Sequence, residues 1–136
     1  MPASREPFEI VRKVTLPPEE AFARITTWER HAEPLPATTV WRTHDGFVVR
    51  QKAGRFVLDD PMEIVQWDPP RFVRIEKRGR SILGWAEIRV RPDGDGSVVS
   101  WREVAHVRGV PGFLAGAERA AGRVLFGRLL RYLTRP

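Results

Sequence analysis

The chain has no cysteine. That excludes disulfides, thiolate zinc sites and cysteine nucleophiles, and nothing in it argues for an oxidising compartment. No apolar run approaches the ~20 residues a bilayer-spanning helix needs, so stable membrane insertion is not expected. The opening MPASREPFEI lacks the apolar segment of a secretory signal, and the expectation is a cytoplasmic protein. His31, His44 and His106 lie far apart with no HxH or HExxH spacing, so no metal site is expected. No GxxxxGK[ST] occurs, and neither GDG nor AGR makes a phosphate loop. Ser97 and Ser100 lack a recognisable His/Asp support, no nucleophile stands out, and no cofactor is expected.

Lysine is scarce as well. Of 23 basic residues only Lys13, Lys52 and Lys77 are lysine; the rest are arginine, and the formal charge is +6. They are spread along the chain, often beside acids as in RIEKR and WREV, with a denser group at Arg119, Arg123, Arg128, Arg131 and Arg135. This pattern describes a solvated basic surface rather than a nucleic-acid footprint. A length of 136 residues with 42% hydrophobic content fits one domain spanning residues 1–136, long enough to bury roughly two-thirds of its unfolded surface.

Phe8 to Thr15 reads as a strand with Phe8, Ile10 and Val14 on one face. It breaks at LPPEE: Pro18 suits a first helical turn, and Glu19 and Glu20 sit at the positive end of the helix dipole. Ala21, Phe22, Ile25 and Trp28 form a stripe at helical spacing, and Thr27 is placed to cap a second short helix, WERHAEP. From Thr38 onward about six β-like segments alternate with turn chemistry. The turn signals are HDG at His44–Gly46, DDP at Asp59–Pro61, DPP at Asp68–Pro70 and PDGDG at Pro92–Gly96. Asp59 and Asp60, being adjacent, would point to opposite faces of a strand, and a turn is the expected reading there rather than a catalytic dyad. Gly112 to Leu133 holds no proline and many helix formers, which predicts one long C-terminal helix.

In this order the chain resembles the START-like/Bet v 1-like (SRPBCC) superfamily, in its polyketide cyclase/dehydrase and lipid-transport branch. The residues carrying the resemblance are LPPEEAFARITTWERHAEPLP from Leu16, WDPPRFVRIE from Trp67 and GWAEIRVRPDGDGSVVSW from Gly84. The resemblance implies an α+β helix-grip fold: a curved antiparallel sheet of about seven strands, two short helices and one long C-terminal helix. It also implies a cavity between sheet and helix that takes a hydrophobic small molecule, lipid- or polyketide-like, as partner; a monomer or homodimer is expected.

On that frame, alternation along the strands proposes the lining. Met62 and Ile64, Val73 and Ile75, and Ala86, Ile88 and Val90 point inward, as do Val99, Trp101, Glu103 and Ala105. Phe22, Ile25 and Trp28 would close one end. The small-residue stripe of the last helix, with Ala117, Ala120 and Val124, is expected to pack on the sheet or form a wall. Glu103 is the one carboxylate in an apolar set, where desolvation would raise its pKa. It is therefore the candidate acid/base if the chain is a cyclase, aromatase or dehydratase, with pairing to an arginine of a neighbouring strand near the sheet edge, or plain exposure at the strand end, as the structural alternative.

Overall fold

From Thr38 onward, short turns repeatedly fold the chain back on itself. The computed structural model describes residues 5–136. Its strands are β1 (Phe8–Val14), β2 (Thr38–Arg42), β3 (Gly46–Ala53), β4 (Phe56–Asp68), β5 (Phe72–Lys77), β6 (Ile82–Asp93) and β7 (Gly96–Val107). They form one antiparallel sheet in the order β1-β7-β6-β5-β4-β3-β2. The HDG and DPP signals are turns as expected: Thr43 N–H donates to Gly46 O at 2.9 Å, and Arg71 N–H to Asp68 O at 2.9 Å.

DDP is not a turn. The reversal lies at Gly54–Arg55, where Gly54 takes φ 61, a conformation glycine adopts without steric cost. β4 then runs unbroken through Asp59, Asp60 and Pro61. The aspartates are held in an otherwise unfavourable strand by cations opposite them. Asp59 faces outward onto Arg50 (2.7 and 2.9 Å), and Asp60 faces inward onto Lys77 (2.8 Å). Pro61 keeps its carbonyl in use, accepting from Arg78 N–H at 2.8 Å.

α1 (Pro18–Ile25) starts without a side-chain cap and buries Ala21, Phe22 and Ile25. Thr27 does not cap a second helix as expected: its hydroxyl donates back to Ala23 O at 2.7 Å, and Trp28–Ala32 form a 3-10 helix. A 3-10 turn, Gly112–Leu114, leads into α2 (Ala115–Thr134). α2 lies across the sheet's concave side but is buried mainly in its second half, through Leu129, Leu130 and Leu133. α1 and the 3-10 helix brace that same end, with Arg24 donating to Arg135 O (2.6 Å) and Arg30 to Leu133 O (3.4 Å). At Gly84, with φ 137, β6 runs so near β7 that a Cβ would strike the Val104 carbonyl.

Candidate functional site

Strand alternation fixes which face a residue takes, and the position along the strand decides whether it meets solid protein or space. Val73, Ile88, Val90 and Val99 face inward as expected, but they do not line the cavity. They are fully buried in a solid core with Phe22, Ile25, Leu130 and Leu133, because α1 and the end of α2 fill that half of the sheet's concavity. Ile64 packs partly buried against this core, just before the β-bulge between Ile64 and Gln66.

The other half is hollow. A cavity of about 330 Å³ is walled by β3 to β7, the 3-10 helix and α2. Of the residues expected to line it, Trp28, Met62, Ile75, Ala86, Trp101, Glu103 and Ala105 do so. Its inner boundary is aromatic. Trp28 stacks on Phe47 (4.4 Å between ring centroids), His31 leans on Trp101 (6.1 Å), Trp101 meets Phe126 (5.6 Å) and Phe126 stacks on Phe8 (5.7 Å). At the opposite end Val107 and Leu125 line the cavity while remaining 43% and 41% exposed, which marks the opening.

α2 is rotated from the face its small residues suggest. Ala117, Ala120 and Val124 face solvent, Val124 at 55% exposure. The face toward the cavity is Glu118, Ala121, Gly122, Leu125, Phe126 and Leu129. Large apolar side chains bury more area than glycine or alanine, so they set the rotation. Gly122 has its own reason for being small: a Cβ there would sit 2.8 Å from the Phe8 ring.

One wall of this apolar space carries charge. Lys77 Nζ donates to Asp60 Oδ2 at 2.8 Å and lies 3.7 Å from Glu103 Oε2. Trp101 Nε1–H donates to Glu103 Oε1 at 3.0 Å. Asp60 Oδ1 and Glu103 Oε2 are buried with no hydrogen-bond partner. Burial pushes the Glu103 carboxyl above the ordinary glutamate value, against the opposing pull of Lys77 and the Trp101 N–H. Burial raises Asp60 too, again opposed by Lys77. For Lys77 burial works to lower the pKa, but the two carboxylates outweigh it and the ammonium is held charged. Two carboxyls therefore share one fixed cation in a low-dielectric wall.

Three further polar side chains border the space, Gln51, His31 and Glu118. His31 donates from Nε2–H to Ile25 O at 2.7 Å, and burial lowers its pKa to about 4, so the ring is neutral. Nearer the opening, Glu118 accepts from His106 Nδ1–H (3.0 Å) and Val107 N–H (2.9 Å), with Arg5 3.6 Å away, and so ties the start of α2 to the end of β7.

This architecture has known relatives. The sequence matches the polyketide cyclase / dehydrase and lipid transport family over residues 7–134. The chain belongs to that family. No curated protein matches it. Among solved structures, the Mll3558 protein from Rhizobium loti is similar with a TM-score of 0.73 at 16% identity, covering 96% of this chain and 97% of that one. A START superfamily protein from Mycobacterium smegmatis aligns with a TM-score of 0.72 at 12% identity, covering 95% and 97%. Ara h 8.0201 aligns with a TM-score of 0.68 at 15% identity, covering 96% and 98%. At these identities the likeness is one of fold, and the helix-grip architecture of the START-like/Bet v 1-like superfamily is shared throughout.

Within this polyketide cyclase/dehydrase and lipid-transport fold, the sequence reading missed Lys77, Asp60 and His31. The signals for the first two were present. Lys77 continues the inward set Val73, Ile75, and Asp60 precedes Met62 by two residues, so period two puts both on the cavity side. Assigning DDP to a turn hid Asp60, and a lysine at a strand end reads as solvent-facing until its partners are seen.

Proposed function

We propose that this family member binds and carries a hydrophobic small molecule, lipid- or polyketide-like, in the hollow half of its sheet. The observation that carries the reading is a cavity of about 330 Å³ with an almost wholly apolar wall and a single buried charge cluster. A chain that left such a space empty would forgo packing in half its interior, so an occupant offsets a real cost. Ion pairing of the surface arginines with acids, as in Arg42–Glu29, Arg78–Glu63 and Arg74–Glu87, supports a solvated surface with no nucleic-acid partner. We read the chain as a single domain acting in the cytoplasm as monomer or homodimer. Among the described residues no helix is long and apolar enough to cross a membrane. Uptake of Nile red, a neutral apolar dye, tests the binding reading. Wild-type protein should take up the dye, and Ala86→Phe, which projects a ring into the space, should lose most uptake while staying folded by circular dichroism. Equal uptake by both would place dye binding elsewhere and refute the reading.

A second reading is favoured by one specific observation, the buried Glu103 oxygen that accepts no hydrogen bond, 3.7 Å from Lys77. In it the chain is a polyketide cyclase, aromatase or dehydratase, with the Glu103 carboxyl as acid/base toward a bound chain. Turnover of a cyclisable polyketide-like substrate that disappears in Glu103→Gln would support it. Turnover unchanged by that substitution removes Glu103 from the chemistry.

A further inference from the structure

The charge cluster is unbalanced in a way that selects a head group. Among the described residues, Asp60 and Glu103 bring two carboxyls to the cavity wall, while Lys77 brings the only ammonium. The donors within the cluster are Lys77 Nζ and Trp101 Nε1–H, and they are directed at Asp60 Oδ2 and Glu103 Oε1. One oxygen of each carboxyl, Asp60 Oδ1 and Glu103 Oε2, is buried and accepts no hydrogen bond, although Glu103 Oε2 lies 3.7 Å from the Lys77 ammonium. Glu103 is 2% exposed and borders the cavity, so a further donor to it must come from within that space. A buried acceptor without a donor is costly, and a ligand that supplies one recovers that cost.

Among the described residues the rest of the wall offers no compensating positive charge. The other ionisable groups lining the cavity are His31, which is neutral, and Glu118, which is engaged by His106, Val107 N–H and Arg5. An anionic head group beside Lys77 would thus enter a place where two acids already compete for one cation.

We propose that the Lys77–Asp60–Glu103 cluster is a head-group site that takes an amphiphile whose polar end donates hydrogen bonds, an alcohol or a protonated amine, and rejects one ending in a carboxylate. This deepens the binding reading above and rests on it. The apolar tail would lie along Met62, Ile75, Ile82 and Ala86 toward the opening at Val107 and Leu125.

The test uses three probes of one chain length, decanol, decylamine and decanoate, displacing Nile red from the wild-type protein at about pH 7.5, where the amine is protonated and the acid ionised. Decanol and decylamine should displace the dye, and decanoate should require at least about tenfold more, since like charges across a contact are strongly disfavoured. The arms also separate the two donor classes. A cation preference shows as decylamine binding ahead of decanol, and a neutral-donor preference as the reverse. In Glu103→Gln and in Asp60→Asn the penalty on decanoate should shrink; either variant suffices if the other does not fold. Decanoate binding as well as or better than decanol in the wild type overturns the head-group assignment while leaving the carrier reading intact. Failure of the wild type to take up Nile red at all overturns both.

Discussion

His31 is where the fold should feel acid first. Its ring is buried against Trp28, Phe47 and Trp101, donates to Ile25 O, and has its pKa lowered by burial from 6.5 to about 4. A base whose folded pKa lies below its unfolded one contributes stability that is complete above about pH 6.5 and is lost as pH falls toward 4. At ~1.4 kcal/mol per pKa unit the loss is about 3 kcal/mol. Asp60 and Glu103 run the other way, since raised folded pKa values make the native state gain relative stability as they protonate. The clean measurement is therefore a difference. Urea unfolding of wild type and His31→Phe between about pH 7 and pH 4 should show the wild type's advantage shrinking with acid, and an advantage constant with pH would refute a buried neutral imidazole. Lys77 makes the complementary prediction. Lys77→Met leaves Asp60 and Glu103 buried without a cation and should cost about 3–5 kcal/mol near neutral pH, less as the carboxyls protonate in acid. A cost under about 1 kcal/mol, indifferent to pH, would mean the three groups are not coupled.

At the scale of the element, the rotation of α2 is the point most easily tested. Val124 is exposed and Leu130 fully buried. Val124→Lys should therefore move stability by no more than about 0.5 kcal/mol, while Leu130→Ala should cost about 2–5 kcal/mol in thermal or urea unfolding. The reverse ranking would restore the small-residue face to the sheet. The contrast shows what the sequence can and cannot disclose. Element order and strand faces were legible because turn dipeptides and period-two alternation are local. The lining was only half legible because depth is not local: Val99 and Glu103 share one face of β7, yet Val99 lies in solid core and Glu103 beside empty space. That difference is set by where α1 and the end of α2 press on the sheet. Buried charge was hardest to read, since Lys77 becomes an interior residue only when β4 and β7 bring Asp60 and Glu103 to it.

At the scale of the whole molecule, the protein is a solid half joined to a hollow half, and α2 spans both. Its last turns are anchored by Leu129, Leu130 and Leu133, whereas its first turns, from Ala115 to Leu125, are mostly exposed and are tied to the sheet through Glu118 and the close approach of Gly122 to Phe8. Segments with few buried contacts open at lower free energy than the core, so the two ends of one helix should differ in protection. Hydrogen exchange on the free protein should show amides of residues 116–124 exchanging at least about tenfold faster than those of residues 128–134. Glu118→Ala should widen that gap by releasing the tie to Val107 and His106. A bound apolar molecule touching Ala121, Leu125 and Phe126 should narrow it, since filling the cavity gives the loose half of the helix something to pack against. Uniform protection along α2, unchanged by Nile red, would mean that the helix is held equally along its length and that the cavity neither opens beside it nor is filled from there.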